Sequence, residues 1–303
     1  MHILASGLRF PEGPVAMLDG SVILVEIERG TLTRVLPNGH VEVVAQLGDG
    51  PNGVAIGPGG KAYVCNNGGF EWISGGGRLR SGAQSQDYSS GRIEVVDLAT
   101  GKFERMYDRC GDHALKGPND IVFDNHGRFW FTDLGKRRGR VIDFGGVYWA
   151  RADGSEIREV VHGMFTPNGI GLSPDGNTLY VAETVTGRLW SWEVIAPGTL
   201  RKRAWPAQYG ATLVAGIGGQ VRFDSLAVTA AGNICVAALD SCSVVEISAD
   251  GGKATHHPMP DLLVTNLCFG GPDMRTAFVT LSHQGLLAVS DWPEAGLRLN
   301  YQE

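Results

Sequence analysis

The amino-acid sequence predicts an all-β protein, a six-bladed β-propeller with four-stranded antiparallel blades around a central channel. A polar residue followed by a short apolar run recurs six times, at an underlying spacing of roughly 40 residues, the size of one blade. A turn and a second apolar strand follow each copy. Glycine is abundant, with 44 among 303 residues, and many short strands joined by glycine turns are typical of sandwiches, barrels and propellers. We expect residues 1–303 to form one domain.

Each repeat opens with a polar residue at the start of its first strand. The six opening residues are Glu12, Asn52, Asn119, Asn168, Asp224 and Asn266. In five repeats the next turn contains glycine, as in Asp19-Gly20 and Asp175-Gly176, and glycine and aspartate tolerate the positive φ of tight hairpins. The sixth turn, around Pro272-Asp273, is looser. Two further apolar runs complete each repeat, which predicts four strands per blade.

The spacing between repeats also predicts an insertion and a closure. The longest gap contains the Gly- and Ser-rich segment 67–91, which we expect to form a long loop over one mouth of the channel. Residues 1–8 resemble the fourth strand that precedes every other opening residue. We therefore expect them to complete the last blade and join the chain ends.

The six opening residues predict a binding site in the channel, and we call them the polar ring. The first strand of a propeller blade is the innermost, so these side chains should converge at one mouth. All six offer oxygen and none offers sulfur or imidazole, which suits a hard cation such as calcium or magnesium. Asparagine or aspartate before a strand can instead satisfy turn backbone, and Asn-Gly is itself a turn signal. Six copies at one repeat position favour the site.

The ends of the second strands return to the same mouth and are expected to form a pocket wall or a supporting layer. They hold Glu26, Asn66, Asp133, Glu183, Asp240 and His283.

Four sequence motifs carry a resemblance to a known family: FPEGP at 10–14, GPND at 117–120, TPNGIGLSPDG at 166–176 and FDSL at 223–226. With these motifs the chain resembles the senescence-marker-protein / gluconolactonase / luciferin-regenerating family along its whole length. The resemblance implies a six-bladed propeller with a divalent metal in the channel, most often calcium, with magnesium, manganese or zinc as alternatives. It implies Glu12, Asn168 and Asp224 as metal ligands. Asn119 would be a fourth ligand or would hold the substrate and the attacking water.

The hypothesis for the chemistry is metal-assisted hydrolysis of a lactone or related ester. Asp224 is the expected general base because it is the only aspartate in the polar ring, with Asn119 as its catalytic partner and His113 as a less favoured base. Sugar-lactone members of the family often carry arginine two residues before the third-repeat asparagine, where this chain has Gly117. A wider, more aromatic pocket is therefore expected. The predicted substrate-binding residues are Asn52, His113, Phe70, Trp72, Phe165 and Asn266.

Two other functions stay open at this point. The same residues resemble those of diisopropyl fluorophosphatase, so organophosphate hydrolysis is one alternative. A non-catalytic binding propeller with calcium as a structural plug is the other. The chain lacks a Gly-x-Ser-x-Gly elbow and a His-Glu-x-x-His zinc motif, which argues against a serine hydrolase or zinc protease.

Composition bears on partners and location. The net charge of −6 argues against nucleic acid as a partner. No apolar run reaches the length of a membrane span, and residues 1–10 do not resemble a signal peptide. Five cysteines without metal-type spacing favour a reduced, cytoplasmic setting. The basic run 136–140 is expected to be a solvated loop. The expected partner is a small lactone or ester.

Overall fold

Six antiparallel sheets stand around a central channel in the computed structural model, which describes residues 1–302. Two short 3₁₀ turns, Pro58–Gly60 and Gln208–Gly210, interrupt the strands. Numbered in chain order, the strands are β1 (His2–Ala5), β2 (Pro11–Ala16), β3 (Val22–Glu26), β4 (Thr31–Val35), β5 (Val41–Gln46), β6 (Pro51–Ile56), β7 (Ala62–Asn66), β8 (Phe70–Gly75), β9 (Arg78–Gln84), β10 (Arg92–Val96), β11 (Phe103–Tyr107), β12 (Arg109–Cys110), β13 (His113–Ala114), β14 (Pro118–Phe123), β15 (Arg128–Asp133), β16 (Arg137–Arg138), β17 (Val141–Ile142), β18 (Gly145–Arg151), β19 (Ile157–Met164), β20 (Pro167–Leu172), β21 (Thr178–Glu183), β22 (Arg188–Ala196), β23 (Thr199–Arg201), β24 (Thr212–Gly216), β25 (Arg222–Val228), β26 (Ile234–Leu239), β27 (Ser243–Ile247), β28 (Ala254–Pro258), β29 (Val264–Gly270), β30 (Thr276–Leu281) and β31 (Leu286–Asp291).

The sheets are the six predicted blades. From the inside outward they are β2–β3–β4–β5, β6–β7–β10–β11, β14–β15–β18–β19, β20–β21–β22–β23, β25–β26–β27–β28 and β29–β30–β31–β1. Blade 4 has an additional strand that the sequence does not predict. Its third strand, β22, is nine residues long, and β23 and β24 pair with different halves of it. A strand of that length has room for two short partners end to end.

Both chain ends take part in closing the ring. β1 pairs antiparallel with β31, which confirms the predicted role of the first residues. The last described residues cross the channel at the end remote from the polar ring, which we call the far end. There Asn300 Nδ2 donates to Phe123 O at 3.0 Å, and Gln302 Nε2 donates to Ala16 O at 2.8 Å. The C-terminal segment thereby links blades 1 and 3 across the far end.

Neighbouring blades pack face to face through apolar clusters. Successive side chains of a strand point to opposite faces, and β15 shows the result. Phe129 and Phe131 lie in the cluster between blades 2 and 3, whereas Trp130 lies in the cluster between blades 3 and 4. Because each blade is sandwiched in this way, its inner strands are apolar on both faces. The apolar area removed from water stabilises the ring at about 25 cal/mol per Å².

The inner strands approach one another unusually closely beside the polar ring, and glycine permits it. A Cβ atom at Gly53 would stand 2.3 Å from Asn119 O, and one at Gly169 would stand 2.6 Å from the backbone nitrogen of Leu226. Gly13 makes the same close approach from blade 1 to blade 2. The two Asn-Gly pairs lie inside β6 and β20, so their glycines serve close backbone approach rather than a turn.

This packing predicts that Gly53→Ala destabilises the protein by about 1–3 kcal/mol, because the added methyl group overpacks the blade 2–blade 3 contact. Urea denaturation of the purified variant measures the change. Gly75→Ala is the matched control, since nothing lies within 4 Å of a Cβ at that position. Equal stability of the two variants would contradict the close-approach argument.

Candidate functional site: the polar ring and the hairpin over it

The six residues of the polar ring come together at one end of the channel, which we call the ring end. Each lies near the start of an inner strand, and each is at least nine-tenths buried. In every blade the pairing between the first and second strands shifts register at this point, which marks a β-bulge. Bulges re-aim side chains and are frequent beside active sites. A proline precedes the ring residue in four blades, and proline is tolerated at bulges because it lacks a backbone donor.

Hydrogen bonds order the carboxylates of the ring. Glu12 Oε2 accepts from Asn266 Nδ2 at 2.9 Å and from its neighbour Gly13 N at 2.8 Å. Asn168 Oδ1 accepts from Ser225 Oγ at 3.3 Å, and the Asn168 side chain acts to lower the pKa of Asp224. The side-chain oxygen of Asn266 accepts from Leu267 N, so its amide is occupied within the protein. The predicted substrate-binding role of Asn266 thus competes with an observed role in orienting Glu12.

The ring concentrates negative charge away from water. Burial raises the pKa of Glu12 well above its usual range, and the nearby Asp224 carboxylate raises it further. Burial raises the pKa of Asp224 to about 7, against the opposing effects of the Asn168 side chain and the Arg222 charge. Burial likewise raises the pKa of Asp120 to about 7. Buried carboxylates that repel one another are costly unless a positive charge compensates them.

Asn119 provides a second sign of an incomplete polar environment. Its Oδ1 is buried and has no hydrogen-bond partner among residues 1–302, although buried polar atoms are normally paired. Two carboxylates and an unpartnered amide oxygen are the hard donors that calcium prefers, so the donor set fits such a cation. Within residues 1–302 no three His, Cys, Asp or Glu side chains are placed to hold a metal. A cation here would therefore need amide oxygens as well as Glu12 and Asp224.

The ends of the second strands support the ring from behind. In four blades the terminal side chain accepts a hydrogen bond from a backbone N–H two or three residues before the ring residue. The pairs are Glu26 with Arg9 N at 2.7 Å, Asn66 with Gly50 N at 3.1 Å, Asp133 with Gly117 N at 2.7 Å, and Glu183 with Phe165 N at 2.8 Å. Asp240 instead pairs with Arg222 at 2.7 Å. These contacts make the group a supporting layer.

Segment 67–91 forms a hairpin of β8 and β9, residues 70–84, rather than the irregular loop that was expected. We call it the mouth hairpin. Leu79 N donates to His283 O at 3.1 Å, and His283 Nδ1 lies 2.9 Å from Leu79 O. Trp72 packs on Phe10, with ring centroids 5.1 Å apart. Since Phe10 and His283 belong to blades 1 and 6, the hairpin crosses the ring end, as predicted for this segment.

The structure shows where two of the predicted substrate-binding residues, His113 and Phe165, lie. His113 is placed with Tyr148, at 3.3 Å from its hydroxyl, and with Glu159. These partners lie on the third and fourth strands of blade 3, and strands are spaced about 4.8 Å apart. His113 therefore lies beside the third and fourth strands of blade 3, and its suggested roles as base and substrate contact stay predictions. Phe165 is exposed at the ring end beside Phe144.

Lys136, the first residue of the basic run 136–140, contradicts the expectation that this run is a solvated loop. Lys136 is 1% exposed, because its side chain runs beneath the start of the mouth hairpin.

All five cysteines are free, and four of them are buried.

A cavity of about 510 Å³ occupies the channel between the ring and the far end. The inner strands and the C-terminal segment line it, and Gly13, Asp120 and Asn266 mark its approach to the ring. Phe70, Trp72 and Phe165 are not among its walls. The polar ring thus has the mouth hairpin on one side and the channel cavity on the other.

Comparison with known proteins assigns the chain to a family. The family model described as the SMP-30/gluconolactonase/LRE-like region matches residues 10–283. The chain belongs to this family. The match includes every residue of the polar ring and the whole of the mouth hairpin. In the described residues no helix is both long and apolar enough to cross a membrane.

The chain is similar in sequence to two lactonases and in fold to one solved structure. A gluconolactonase of Zymomonas mobilis is 25% identical over 93% of this chain and 79% of its own length. A lactonase, drp35, of Staphylococcus saprophyticus is 30% identical over 86% of this chain and 72% of its own length. The structure of a calcium-binding regucalcin from Agrobacterium tumefaciens superimposes with a TM-score of 0.73 at 20% identity, covering 98% of this chain and 97% of that one. The last likeness concerns the fold.

The supporting layer generates a test of how strongly the site depends on it. Glu183 accepts from Phe165 N, Thr186 Oγ1, Trp190 Nε1 and Tyr209 OH. Glu183→Ala leaves these donors without their acceptor and should cost more than about 2 kcal/mol. Chemical denaturation measures the loss. Glu193→Ala, which removes only an exposed ion pair with Arg201, should stay within about 1 kcal/mol; similar losses would refute a supporting role for Glu183.

Proposed function

We propose that the chain is a metal-dependent lactone hydrolase that works as one propeller domain, with its active site at the polar ring. The observation that carries the proposal is the buried pair of carboxylates, Glu12 and Asp224, next to the unpartnered oxygen of Asn119. Lactonase relatives that match most of the chain support the reaction class. Family membership supports a shared site, because the match spans the whole ring.

In this proposal Glu12, Asn168 and Asp224 hold the cation, which is calcium by the chemistry of the donors. Asn266 keeps Glu12 in place through its 2.9 Å hydrogen bond. A bound divalent cation supplies polarisation of the lactone carbonyl and a lowered pKa for the attacking water. Asn119 is either a fourth ligand or the residue that orients the substrate and that water.

Asp224 then has a second task as the proton acceptor. Water adds to the lactone's carbonyl carbon, and the bond between that carbon and the lactone's ester oxygen breaks. The proton lost by the water is returned to that ester oxygen as the hydroxy acid forms. Asp224 is buried on the inner strand β25, so the strand sets its position before substrate arrives. A preset general base contributes about 10²–10⁴-fold in rate.

The surroundings of the ring favour a lactone with an apolar or aromatic substituent over a sugar-acid lactone. Gly117 offers no side chain to bind hydroxyl groups. On the hairpin side, Phe70 and Trp72 stand over the ring end, and Phe165 is exposed on blade 4. Asn52, buried in the ring, is a polar contact for the lactone in this proposal.

The first test is a panel of lactones, aryl esters and phosphotriesters assayed with calcium and with chelator. We expect calcium-dependent lactone turnover. Asp224→Asn should lower the turnover number by about 10²–10⁴-fold even at saturating calcium. Glu12→Gln should act mainly on calcium affinity, so excess calcium should restore part of its activity. Asp97→Asn, in the turn between β10 and β11, is the control and should behave as wild type.

The outcomes separate the alternatives. Full recovery of Asp224→Asn at high calcium would reduce Asp224 to a ligand. Turnover of phosphotriesters without lactones would favour the organophosphatase, and calcium binding by calorimetry with no turnover would favour the structural plug.

A second test addresses the substrate. Trp72→Ala and Phe165→Ala should lower kcat/KM for an aryl-substituted lactone by about tenfold or more, since burying one large apolar side chain is worth about 1.5–3 kcal/mol. Their effect on gluconolactone should be small. Phe103→Ala, which truncates an exposed aromatic on an outermost strand, should change neither. Equal losses on both substrates would contradict an aromatic pocket.

A further inference from the structure

Lys136 is a buried cation that the proposed reaction does not use. Its side chain belongs to blade 3, just after β15, yet its contacts belong to blade 2. The Nζ atom donates to Asn67 Oδ1 at 3.1 Å and to Gly69 O at 2.8 Å. It also lies 4.1 Å from the centroid of the Phe70 ring, which is within the range of a cation–π interaction. All three partners are at the base of the mouth hairpin.

We propose that Lys136 is a positioning residue that anchors the mouth hairpin over the polar ring and thereby sets where Phe70 and Trp72 stand. The inference deepens the proposed function, because the hairpin's position would decide which lactones reach the ring. A hairpin joined to blade 2 alone could swing about its base. The contacts of Lys136 tie that base to blade 3, and those of Leu79 and Trp72 tie the other part to blades 6 and 1.

The surroundings make this anchor sensitive to hydration. In the described part of the chain no carboxylate forms a hydrogen bond with the ammonium of Lys136. Asp133 and Asp49 attract it from a distance, but Asp133 accepts from three backbone N–H groups and Asp49 pairs with Arg92. The remaining titratable neighbour is Tyr88, whose ring centroid is 5.4 Å away. Burial lowers the pKa of Lys136 to about 7, and the two carboxylates only partly oppose this.

The sign of the resulting pH dependence follows from linkage. If the hairpin opens and water reaches Lys136, its pKa returns towards the ordinary lysine value of 10.5. The open form then binds a proton more tightly than the closed form. Opening should therefore become easier as pH falls from about 10.5 to about 7, by up to about tenfold per pH unit, and should level off below that range. Above it, the closed hairpin is favoured most.

Limited trypsin digestion tests the anchor without relying on catalysis. Arg78 and Arg80 are exposed on the hairpin, so cleavage there reports opening. Lys136→Met keeps an unbranched side chain but removes the amine that donates to Asn67 and Gly69; at pH 9 it should be cut faster than wild type. The wild-type to variant ratio of cleavage rates, which cancels the pH dependence of trypsin, should fall as pH rises from 7 to 9. Lys61→Met, an exposed lysine on blade 2, should match wild type throughout.

The kinetic arm tests the consequence for substrate. Lys136→Met should raise KM severalfold for an aryl-substituted lactone while leaving kcat for an unsubstituted small lactone and the melting temperature near wild type. If that variant does not fold, Lys136→Gln carries the same comparison, with retained donors and no charge. A cleavage ratio that is constant with pH, or an unchanged KM, would overturn the proposal. Because cleavage needs no turnover, failure of the lactonase proposal alone would leave the protease result intact.

Discussion

The close approach of six inner strands is the constraint on which the rest of the structure depends. At the ring end, neighbouring backbones come so near that Gly13, Gly53 and Gly169 have no room for a Cβ atom. Each strand is bulged at that level, which turns one polar side chain per blade towards the axis. Without the bulges these side chains would follow the ordinary alternation of a strand. The backbone geometry of the inner strands therefore brings the ring side chains together, and their chemistry acts only once they are in place.

That geometry places charge where it is least stable. Glu12, Asp120 and Asp224 are buried together, and their raised pKa values express the cost of ionising them there. The supporting layer offsets part of the strain by fixing the approach of each inner strand, as Asp133 does with the backbone of Gly117. Functional sites commonly hold such locally unfavourable arrangements, which the surrounding fold must over-determine. Here the blade interfaces supply the rigidity.

The fold was predictable because repeats report on architecture. Opening residues 40 to 67 positions apart, each followed by a turn and further apolar runs, define four strands per blade. Residues 1–8 could be assigned to the last blade because they resemble the fourth strand that precedes every other opening residue. The ring followed from symmetry alone. The bulges were not predictable, since an extra residue in a strand leaves no signal in an apolar run, although the repeated Pro-Asn step was a usable hint.

A residue whose surroundings come from another blade, Lys136, was misjudged. Lys136 lies in a basic run that resembles solvated loop, and only the mouth hairpin from blade 2 buries it. His113 is near Asn119 in the chain, but β12 and β13 carry it outward to Tyr148. Local sequence reports propensity and periodicity; it does not report which distant segment will cover a side chain.

The pairing of β1 with β31 also has a consequence for how the protein is made. Of the strands β1 to β31, β1 is synthesised first and its partner β31 last, so the pair cannot form until the intervening blades have been made. Until then blade 6 is missing its outer strand, and blade 1 has no neighbour on one side. The nascent chain therefore carries an open, apolar edge through most of translation, when exposed strand edges are prone to aggregate. Protection of that edge, rather than the formation of any single blade, is the step at which cellular folding helpers would matter most.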